Sequence, residues 1–365
     1  MKFECSMEQF LPAVSLASRF VHKQSGLPVL SCVLITAEGN EVVLRATNLE
    51  YGVEVSVPAT VTKSGSAAVS GTTLLGFLTN ARGKTVGVEL NDGTVRFVAD
   101  RSHASVKILP HEDFPILPRV SAEKMFALKA VDLAKALRSV IHCASVSNIK
   151  PELQSVLLFG DAGKLFSAAT DSFRLAEKQV PLKSRGGVPN LLVPARNAVE
   201  LIRILEPAKN DVDVYYNENQ LSVQVGSVYY TSRLLDGAFP NYKQIIPTQY
   251  AIEAVILRED FTQALKGLSV FSDKFLQVTL EVDVKDKVVK LSARNSDVGE
   301  QESVLKAAVS GENVKMSFNS KYLGDALIPI SGESVRLQLS GAGKPMLIKD
   351  TSDDSYFYLA MPMNR

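Results

Sequence analysis

The chain has 365 residues, of which 46% are hydrophobic and 22% charged, so it is expected to fold into two or three globular domains and not to be disordered. Its 40 Lys and Arg residues nearly balance its 39 Asp and Glu residues, which excludes a protein that grips DNA through strong net positive charge. No apolar run reaches the roughly eighteen residues of a membrane span, and the start lacks a targeting pattern. We therefore expect a cytoplasmic protein.

The first predicted element is an amphipathic helix that begins near Ser6. The residues Ser6-Met7-Glu8-Gln9 have the pattern of a capping box. The apolar positions that follow have the spacing of one buried helix face: Met7, Phe10, Leu11, Val14, Ala17 and Val21. Arg19 and Lys23, four residues apart, are predicted to project together from the other face.

Further along the chain, one pattern occurs three times. It reads LRATNLEYGVEVSVP from Leu44, SAATDSFRLAEKQVP from Ser167 and LSARNSDVGEQESVL from Leu291. The shared alanines are 123 and 124 residues apart, and each is followed two residues later by Asn48, Asp171 or Asn295. A second pattern, a strand end followed by a short helix, begins at Ser70, Val193 and Phe318. So regular a period indicates three tandem domains.

Each copy is predicted to be an α+β unit with two helices packed on antiparallel strands. Alternation in LSVQVG from Leu221 is typical of a strand, and NDG at Asn91 and NEN at Asn217 predict hairpin turns. The third copy is shorter between its first helix and its repeated alanine. Proline-rich links near Pro118 and Pro247 predict boundaries that give domains 1–120, 121–249 and 250–365.

No catalytic or metal-binding motif accompanies the repeats. Cys5, Cys32 and Cys143 are widely spaced and are predicted to be buried as small hydrophobic side chains. GDAGKL from Gly160 and SGAGKP from Ser340 lack the spacing of a phosphate-binding loop and predict hairpin turns. The adjacent carboxylates Asp353-Asp354 and Glu112-Asp113 are interpreted as solvated loop charges. The pattern favours a protein that is not an enzyme and needs no cofactor.

Basic residues recur on the predicted helices of all three copies. In the second copy, Lys135, Arg138 and His142 fall on the face opposite the apolar stripe, and Arg196 and Arg203 lie two turns apart. A solvated face is one interpretation, and a shared surface for a polyanion is the other. Tryptophan is absent, so stacking on single strands is not expected, and a sequence-independent contact with duplex DNA fits better.

Three motifs, together with the triplication, resemble the bacterial DNA polymerase III β subunit, the β sliding clamp. They are ATDSFRLA at Ala169, DGAFPNYKQIIP at Asp236 and the terminal YLAMPMNR, and the resemblance covers residues 1–365. It implies three DNA-clamp domains per chain, and a head-to-tail homodimer that forms a six-domain ring around double-stranded DNA. It also implies a non-catalytic processivity factor for DNA replication, which binds short peptides of DNA polymerases and of the clamp loader.

The resemblance implies two sets of site residues. A hydrophobic peptide groove between the second and third domains would comprise Leu153, Thr170, Ser172, Phe173, Arg174, Leu175, Pro240, Gln244, Ile245, Asn319, Pro345, Leu359, Met361, Pro362 and Met363. DNA-facing positions would be Gln24, Asn148, Lys150, Arg196 and Tyr322, to which helix facing adds Arg19, Lys23, Lys135, Arg138 and Arg203.

The chain departs from the family pattern at the groove. Ser172-Phe173 stands where Gly-His is common, and Gln244 stands where a basic residue is frequent. Gln24 also replaces a frequent basic residue, for which Lys23 could substitute. The changes at Ser172, Phe173 and Gln244 predict an altered peptide preference.

Two other functions remain open from the residues alone. A triplicated peptide-binding scaffold would keep the fold without encircling DNA, and would tolerate charge reversal at Lys135, Arg138 and Arg196. An enzyme with a cleft between domains would need a cluster of perturbed titratable groups in one pocket.

Overall fold

The computed structural model describes residues 1–22, 26–120, 125–183 and 187–363. The chain divides into two compact units, one of residues 1–130 and 204–234 and the other of residues 131–203 and 235–365. The α-helices of the described ranges are α1 (Met7–Ala17), α2 (Gly71–Asn80), α3 (Ala130–Val140), α4 (Ala195–Leu205), α5 (Arg258–Leu268) and α6 (Ser320–Leu327). None of these helices has the length and apolar character needed to span a membrane.

The strands are short and antiparallel. In chain order they are β1 (Lys2–Ser6), β2 (Cys32–Glu38), β3 (Glu41–Thr47), β4 (Tyr51–Lys63), β5 (Gly65–Ser70), β6 (Thr85–Asn91), β7 (Thr94–Ala99), β8 (Ser102–Leu109), β9 (Met125–Lys129), β10 (Ser155–Asp161), β11 (Lys164–Thr170), β12 (Arg174–Pro181), β13 (Val188–Pro194), β14 (Asp211–Tyr216), β15 (Gln220–Val225), β16 (Val228–Arg233), β17 (Ile252–Leu257), β18 (Gln277–Asp283), β19 (Val288–Asn295), β20 (Gly299–Ser310), β21 (Val314–Asn319), β22 (Ser334–Leu339), β23 (Met346–Asp350) and β24 (Tyr356–Ala360).

In the first unit, one twelve-stranded sheet has the order β1-β6-β7-β8-β5-β2-β3-β4-β16-β15-β14-β9. Strands of the first and second sequence copies meet where β4 pairs with β16, and Tyr51 lies opposite Ser232. The N–H of Arg233 donates to the carbonyl of Glu50 at 2.8 Å. One continuous sheet therefore joins two copies of the repeat.

In the second unit, another twelve-stranded sheet has the order β13-β10-β11-β12-β24-β23-β22-β17-β20-β19-β18-β21. Here the second and third copies meet where β12 pairs with β24, and Arg174 lies opposite Ala360. The N–H of Met361 donates to the carbonyl of Phe173 at 2.9 Å. The two internal junctions therefore pair corresponding strands of the repeat, since β12 is the counterpart of β4 and β24 is the counterpart of β16.

The repeated Asn or Asp begins a hairpin turn in the first two copies. Asn48 Oδ1 accepts from the N–H groups of Glu50 and Tyr51 at 3.0 and 2.9 Å, and Asp171 Oδ1 accepts from Phe173 and Arg174, both at 3.0 Å. These side chains satisfy N–H groups that the turn leaves without strand partners. In the third copy, Asn295 Oδ1 accepts from the N–H of Asp297 at 2.9 Å, in a turn that is one residue longer.

Most predicted elements are confirmed, with three corrections. The first helix ends at Ala17, so Arg19 lies in the following turn and not on the helix. Ser6 precedes the helix, but its side chain makes no capping hydrogen bond. A strand that the sequence analysis does not predict precedes the first helix of each copy, as β1, β9 and β17.

The hairpin turns at Asn91, Gly160, Asn217 and Ser340 are confirmed, and all three cysteines are buried and free. Glu112 and Asp113 are exposed, as predicted. The interpretation of Asp353 as a solvated charge is wrong, because its carboxylate accepts from Lys178 Nζ at 2.9 Å. Lys178 is only 2% exposed, and a buried ammonium requires such a partner.

Candidate peptide groove and nucleic-acid interface

The turn between β11 and β12 is a rigid element of the second unit. Thr170 Oγ1 donates to the carbonyl of Arg174 at 2.7 Å and accepts from the N–H of Ser172 at 3.2 Å. Ser172 has a φ of 78°, a left-handed conformation that favours glycine. Phe173, the next residue, is 63% exposed. The turn therefore presents an aromatic side chain to solvent from a fixed backbone.

Arg174 is the centre of a buried polar cluster below this turn. Its Nε donates to Asp171 at 2.9 Å, and its NH1 donates to Asp325 of α6 at 2.6 Å. Its guanidinium lies 4.3 Å from the ring centre of Tyr322. Because Arg174 is 9% exposed, these charged and aromatic partners offset the cost of burying it. The cluster ties the second copy to α6 of the third.

An apolar wall continues from this cluster along the junction of β12 and β24. Leu175 lies opposite Leu359 in the sheet, and both pack in one buried cluster with Tyr242. The hydroxyl of Tyr242 donates to Glu177 at 2.5 Å, and Glu177 is 4% exposed. Burial raises the pKa of Tyr242, and the neighbouring carboxylate of Glu177 raises it further. The phenol therefore stays protonated and serves as the donor.

The chain beyond β24 adds methionines to the same edge. Met361 is 36% exposed, and its N–H donates to the backbone carbonyl of Phe173, which fixes the two backbones next to each other. Met363 donates its N–H to the carbonyl of Ser317 at 2.8 Å. Thioether side chains adapt to varied partners, so an edge built from Phe173 and Met361 suits apolar peptide side chains.

The structure brings most of the predicted groove set to this junction. Thr170, Ser172, Phe173, Arg174, Leu175, Leu359, Met361 and Pro362 lie on the turn, on β12 or at the end of β24, and Pro345 and Met363 adjoin those elements. Asn319 caps α6, the helix that carries Asp325. Pro240, Gln244 and Ile245 are exposed around the 3₁₀ turn that buries Tyr242, and Leu153 is buried in the 3₁₀ turn 151–154.

His142 is a correction to the predicted basic face of the second copy. Its ring stacks on Tyr358 with centroids 5.9 Å apart, and its Nε2 is buried without a hydrogen-bond partner among the described residues. Burial lowers the pKa of His142 to about 4, so it is neutral at pH 7. The sequence missed this because α3 ends at Val140, and the change to a 3₁₀ turn rotates His142 inward.

The predicted DNA-facing residues lie on several different elements of the structure. Lys135 and Arg138 are exposed on α3, Arg196 is exposed on α4, and Arg19 is exposed in the turn after α1. Arg203 donates to Glu200 at 2.5 Å, and Asn148 and Lys150 are exposed in the loop before β10. Tyr322 lies on α6 against the guanidinium of Arg174. Lys23 and Gln24 lie outside the described residues.

Sequence reasoning missed several residues of the groove. Asp171 has a signal in the repeated Asn or Asp column, and Tyr242 lies within the motif at Asp236, whereas Asp325 has no signal. Only long-range pairing brings Asp325 and Tyr322 to Arg174 and Tyr242 to Leu175. In the described ranges, no group of three or more His, Cys, Asp or Glu side chains could hold a metal ion.

Comparison with known proteins gives consistent results along the whole chain. Models of the N-terminal, central and C-terminal domains of the DNA polymerase III beta subunit match residues 1–118, 127–241 and 243–364. The beta sliding clamps of Staphylococcus epidermidis and Staphylococcus aureus are 27% identical, and the matches cover 100% of this chain and 99% of each relative.

Solved structures share the fold over the same length. The DNA polymerase III subunit beta of Pseudomonas aeruginosa is 25% identical, with a TM-score of 0.94 and 100% of both chains covered. A sliding clamp of that organism bound to griselimycin gives the same values. The DNA polymerase sliding clamp of Bacillus subtilis has a TM-score of 0.95 at 23% identity, covering 100% of this chain and 99% of that one, a likeness of fold alone.

Proposed function

Because the chain belongs to the DNA polymerase III beta-subunit family, we propose that it is a DNA sliding clamp, a non-catalytic processivity factor of DNA replication. The observation that carries this proposal is the tandem match of all three domain models across residues 1–364. Two copies join head to tail into a six-domain ring that encloses double-stranded DNA. Enclosure retains DNA by topology, which is compatible with a net charge of only +1.

We propose domain boundaries at 1–120, 121–249 and 250–365, and a cytoplasmic location. The repeated pattern and the proline-rich links support these boundaries. They also imply that each of the two internal sheet junctions, β4 with β16 and β12 with β24, joins one domain to the next.

The proposed partner site is the groove along the β12–β24 junction. A peptide from a polymerase or a clamp loader would place apolar side chains against the exposed Phe173 and Met361, which the buried pair Leu175 and Leu359 holds at the junction. The fixed turn supports this role, because a preformed aromatic edge loses little conformational freedom on binding. Phe173 and the uncharged Gln244 favour peptides with apolar residues over peptides that depend on acidic ones.

The proposed DNA surface uses the exposed cations of α3 and α4, chiefly Lys135, Arg138 and Arg196. Their contacts with phosphates would be sequence-independent and weak enough to permit sliding. Arg203 has a smaller part, because Glu200 neutralises much of its charge.

The test is retention of labelled protein on nicked circular DNA after loading by a matched clamp loader. Retention on the circle followed by release when the circle is cut is the expected result, since a ring slides off a free end. Protein that stays on linear DNA would show ordinary affinity binding and contradict the proposal.

Variants separate the clamp from a peptide-binding scaffold. Lys135→Glu/Arg138→Glu should reduce loading, whereas the control Lys285→Glu/Lys287→Glu, in the exposed turn between β18 and β19, should load normally. If both double variants load as well as the wild type, the surface of α3 has no role with DNA.

A further inference from the structure

Two phenylalanines stack on the sheet of the second unit, beside the proposed groove. Phe159 of β10 lies opposite Phe166 of β11, and their ring centroids are 4.8 Å apart with an angle of 7° between the ring planes. Both side chains are half-buried, so part of each ring faces solvent. The Nζ atom of Lys243 lies 5.1 Å from the ring centre of Phe159 and 5.8 Å from that of Phe166. We call these three residues the aromatic patch.

The fold does not require an aromatic pair at these two positions. The equivalent pair of opposite residues is Thr36 with Val43 in the first copy, and Glu281 with Lys290 in the third. The same hairpin therefore forms with a small polar and aliphatic pair, or with a charged pair. Only the second copy has two aromatic residues there, and it is also the copy whose next turn carries Phe173. This coincidence indicates a role beyond strand pairing.

The two rings are continuous with the groove through the face of the sheet that they share. Phe166 and Thr170 lie on the same face of β11, four residues apart, which is about 13 Å along a strand. Phe159 packs against the buried cluster that contains Leu175, the residue opposite Thr170. A peptide chain that leaves the groove along this face therefore reaches the rings after about four extended residues.

Lys243 is continuous with the groove through the chain. It lies in the 3₁₀ turn 242–245, and the next two residues, Gln244 and Ile245, belong to the predicted groove set. Its side chain is exposed, as are those of Gln244 and Ile245. The turn therefore has the groove on one side and the two phenylalanine rings on the other.

The charge of Lys243 is not neutralised within the part of the chain that the structure describes, since no carboxylate there forms an ion pair with it. Glu177, which shares this face of the sheet, accepts instead from the phenol of Tyr242 and from the amide of Gln179, the latter at 3.2 Å. The two rings attract the ammonium but do not cancel its charge. The aromatic patch is thus an apolar surface with a positive charge beside it.

We propose that the aromatic patch binds the residues that flank a groove-bound peptide, and that it selects an apolar side chain next to a carboxylate. The inference rests on the proposed function and adds a second contact for the same partner. The apolar side chain lies against Phe159 and Phe166, and the carboxylate pairs with Lys243. Because the groove already holds the peptide, the second contact forms within one complex and needs little area of its own.

Peptide binding measures the second contact. The probes are two fluorescein-labelled peptides that share an apolar core of leucine and phenylalanine for the groove and a Gly-Ser linker of about four residues. One ends in Phe-Asp and the other in Ser-Asn, and each is made with its tail before or after the core. Fluorescence anisotropy with the full-length protein should give a dissociation constant roughly 10-fold lower for the Phe-Asp tail in one of the two orientations. Equal constants for the two tails in both orientations would overturn the proposal.

Variants identify the surface that the tail contacts. Phe159→Thr/Phe166→Val installs the pair of the first copy, so it should fold, bind the Ser-Asn peptide as the wild type does, and lose the preference for Phe-Asp. Lys243→Glu should lose that preference and gain one for a Phe-Lys tail. The control Lys285→Glu, in the exposed turn between β18 and β19, should keep the wild-type preference. A Phe-Asp preference that persists in both patch variants would show that the tail binds elsewhere.

The outcomes separate this inference from the proposed function. A protein that is released from cut circular DNA, and that binds both tails equally, is a sliding clamp without the second contact. A protein that stays on linear DNA, and that prefers the Phe-Asp tail through Lys243, retains the aromatic patch but contradicts the ring. Binding of neither peptide to a protein that loads on DNA would overturn the groove and the aromatic patch together, and would leave the ring intact.

Discussion

Acidification is expected to destabilise the β12–β24 junction through His142. The imidazole has a pKa of 6.5 in the unfolded chain, and burial lowers it to about 4 in the folded protein. The proton therefore binds the unfolded state more tightly. The contribution of neutral His142 to the free energy of unfolding is fully present above pH 6.5, and it is lost as the pH falls toward 4. At about 1.4 kcal/mol for each pKa unit, the loss reaches about 3 kcal/mol.

The matched variant is His142→Phe, which keeps a ring against Tyr358 but has no titrating proton. Hydrogen exchange of β12 and β24 amides, measured from pH 7.5 to pH 4, gives the opening free energy of each protein. Wild type should lose about 3 kcal/mol more than His142→Phe over this range. The chain has only four histidines, so the variant also identifies the His142 signal in an NMR titration. A His142 midpoint near 6.5, or parallel pH profiles, would refute the reasoning.

Three further outcomes are expected around the groove. Ser172→Gly should raise the free energy of unfolding by about 1 kcal/mol, because glycine adopts the φ of 78° without strain; an unchanged denaturation midpoint would contradict this. Tyr242→Phe should lower the free energy of unfolding by about 1–3 kcal/mol, since it leaves the buried Glu177 without its phenol donor; an unchanged midpoint in urea denaturation would contradict this. Lys178→Ala should lower the opening free energy of the β12 amides, measured by hydrogen exchange, by about 3 kcal/mol. Lys178→Met should recover most of this loss, because it restores the buried stem beside Asp353.

Local patterns were enough to predict much of the fold. Alternating strands, the spacing of apolar residues on α1 and the turn residues at Asn91 and Asn217 are properties of neighbouring positions, and the structure confirms them. The predictions fail where a helix ends. Arg19 and His142 were placed by helical spacing continued beyond Ala17 and Val140, and the backbone turns at both places.

The groove also combines features that the sequence could predict with features that it could not. The motifs that contain Phe173 and Met361 could be recognised in the sequence, but their adjacency arises from the pairing of β12 with β24, which are far apart in the chain. Tyr322 lies against Arg174 for the same reason. A buried charge can be read from the sequence only when its partner is close in the chain, and Asp353 is 175 residues from Lys178.

The sequence by itself determined that one α+β unit is used three times, because a repeat of about 123 residues preserves the strand and helix patterns that local interactions encode. The tertiary structure decided which strand edges of the copies meet, and therefore which side chains are buried at the junctions. Strand pairing depends on backbone hydrogen bonds between distant segments, and no local spacing of residues specifies the partner.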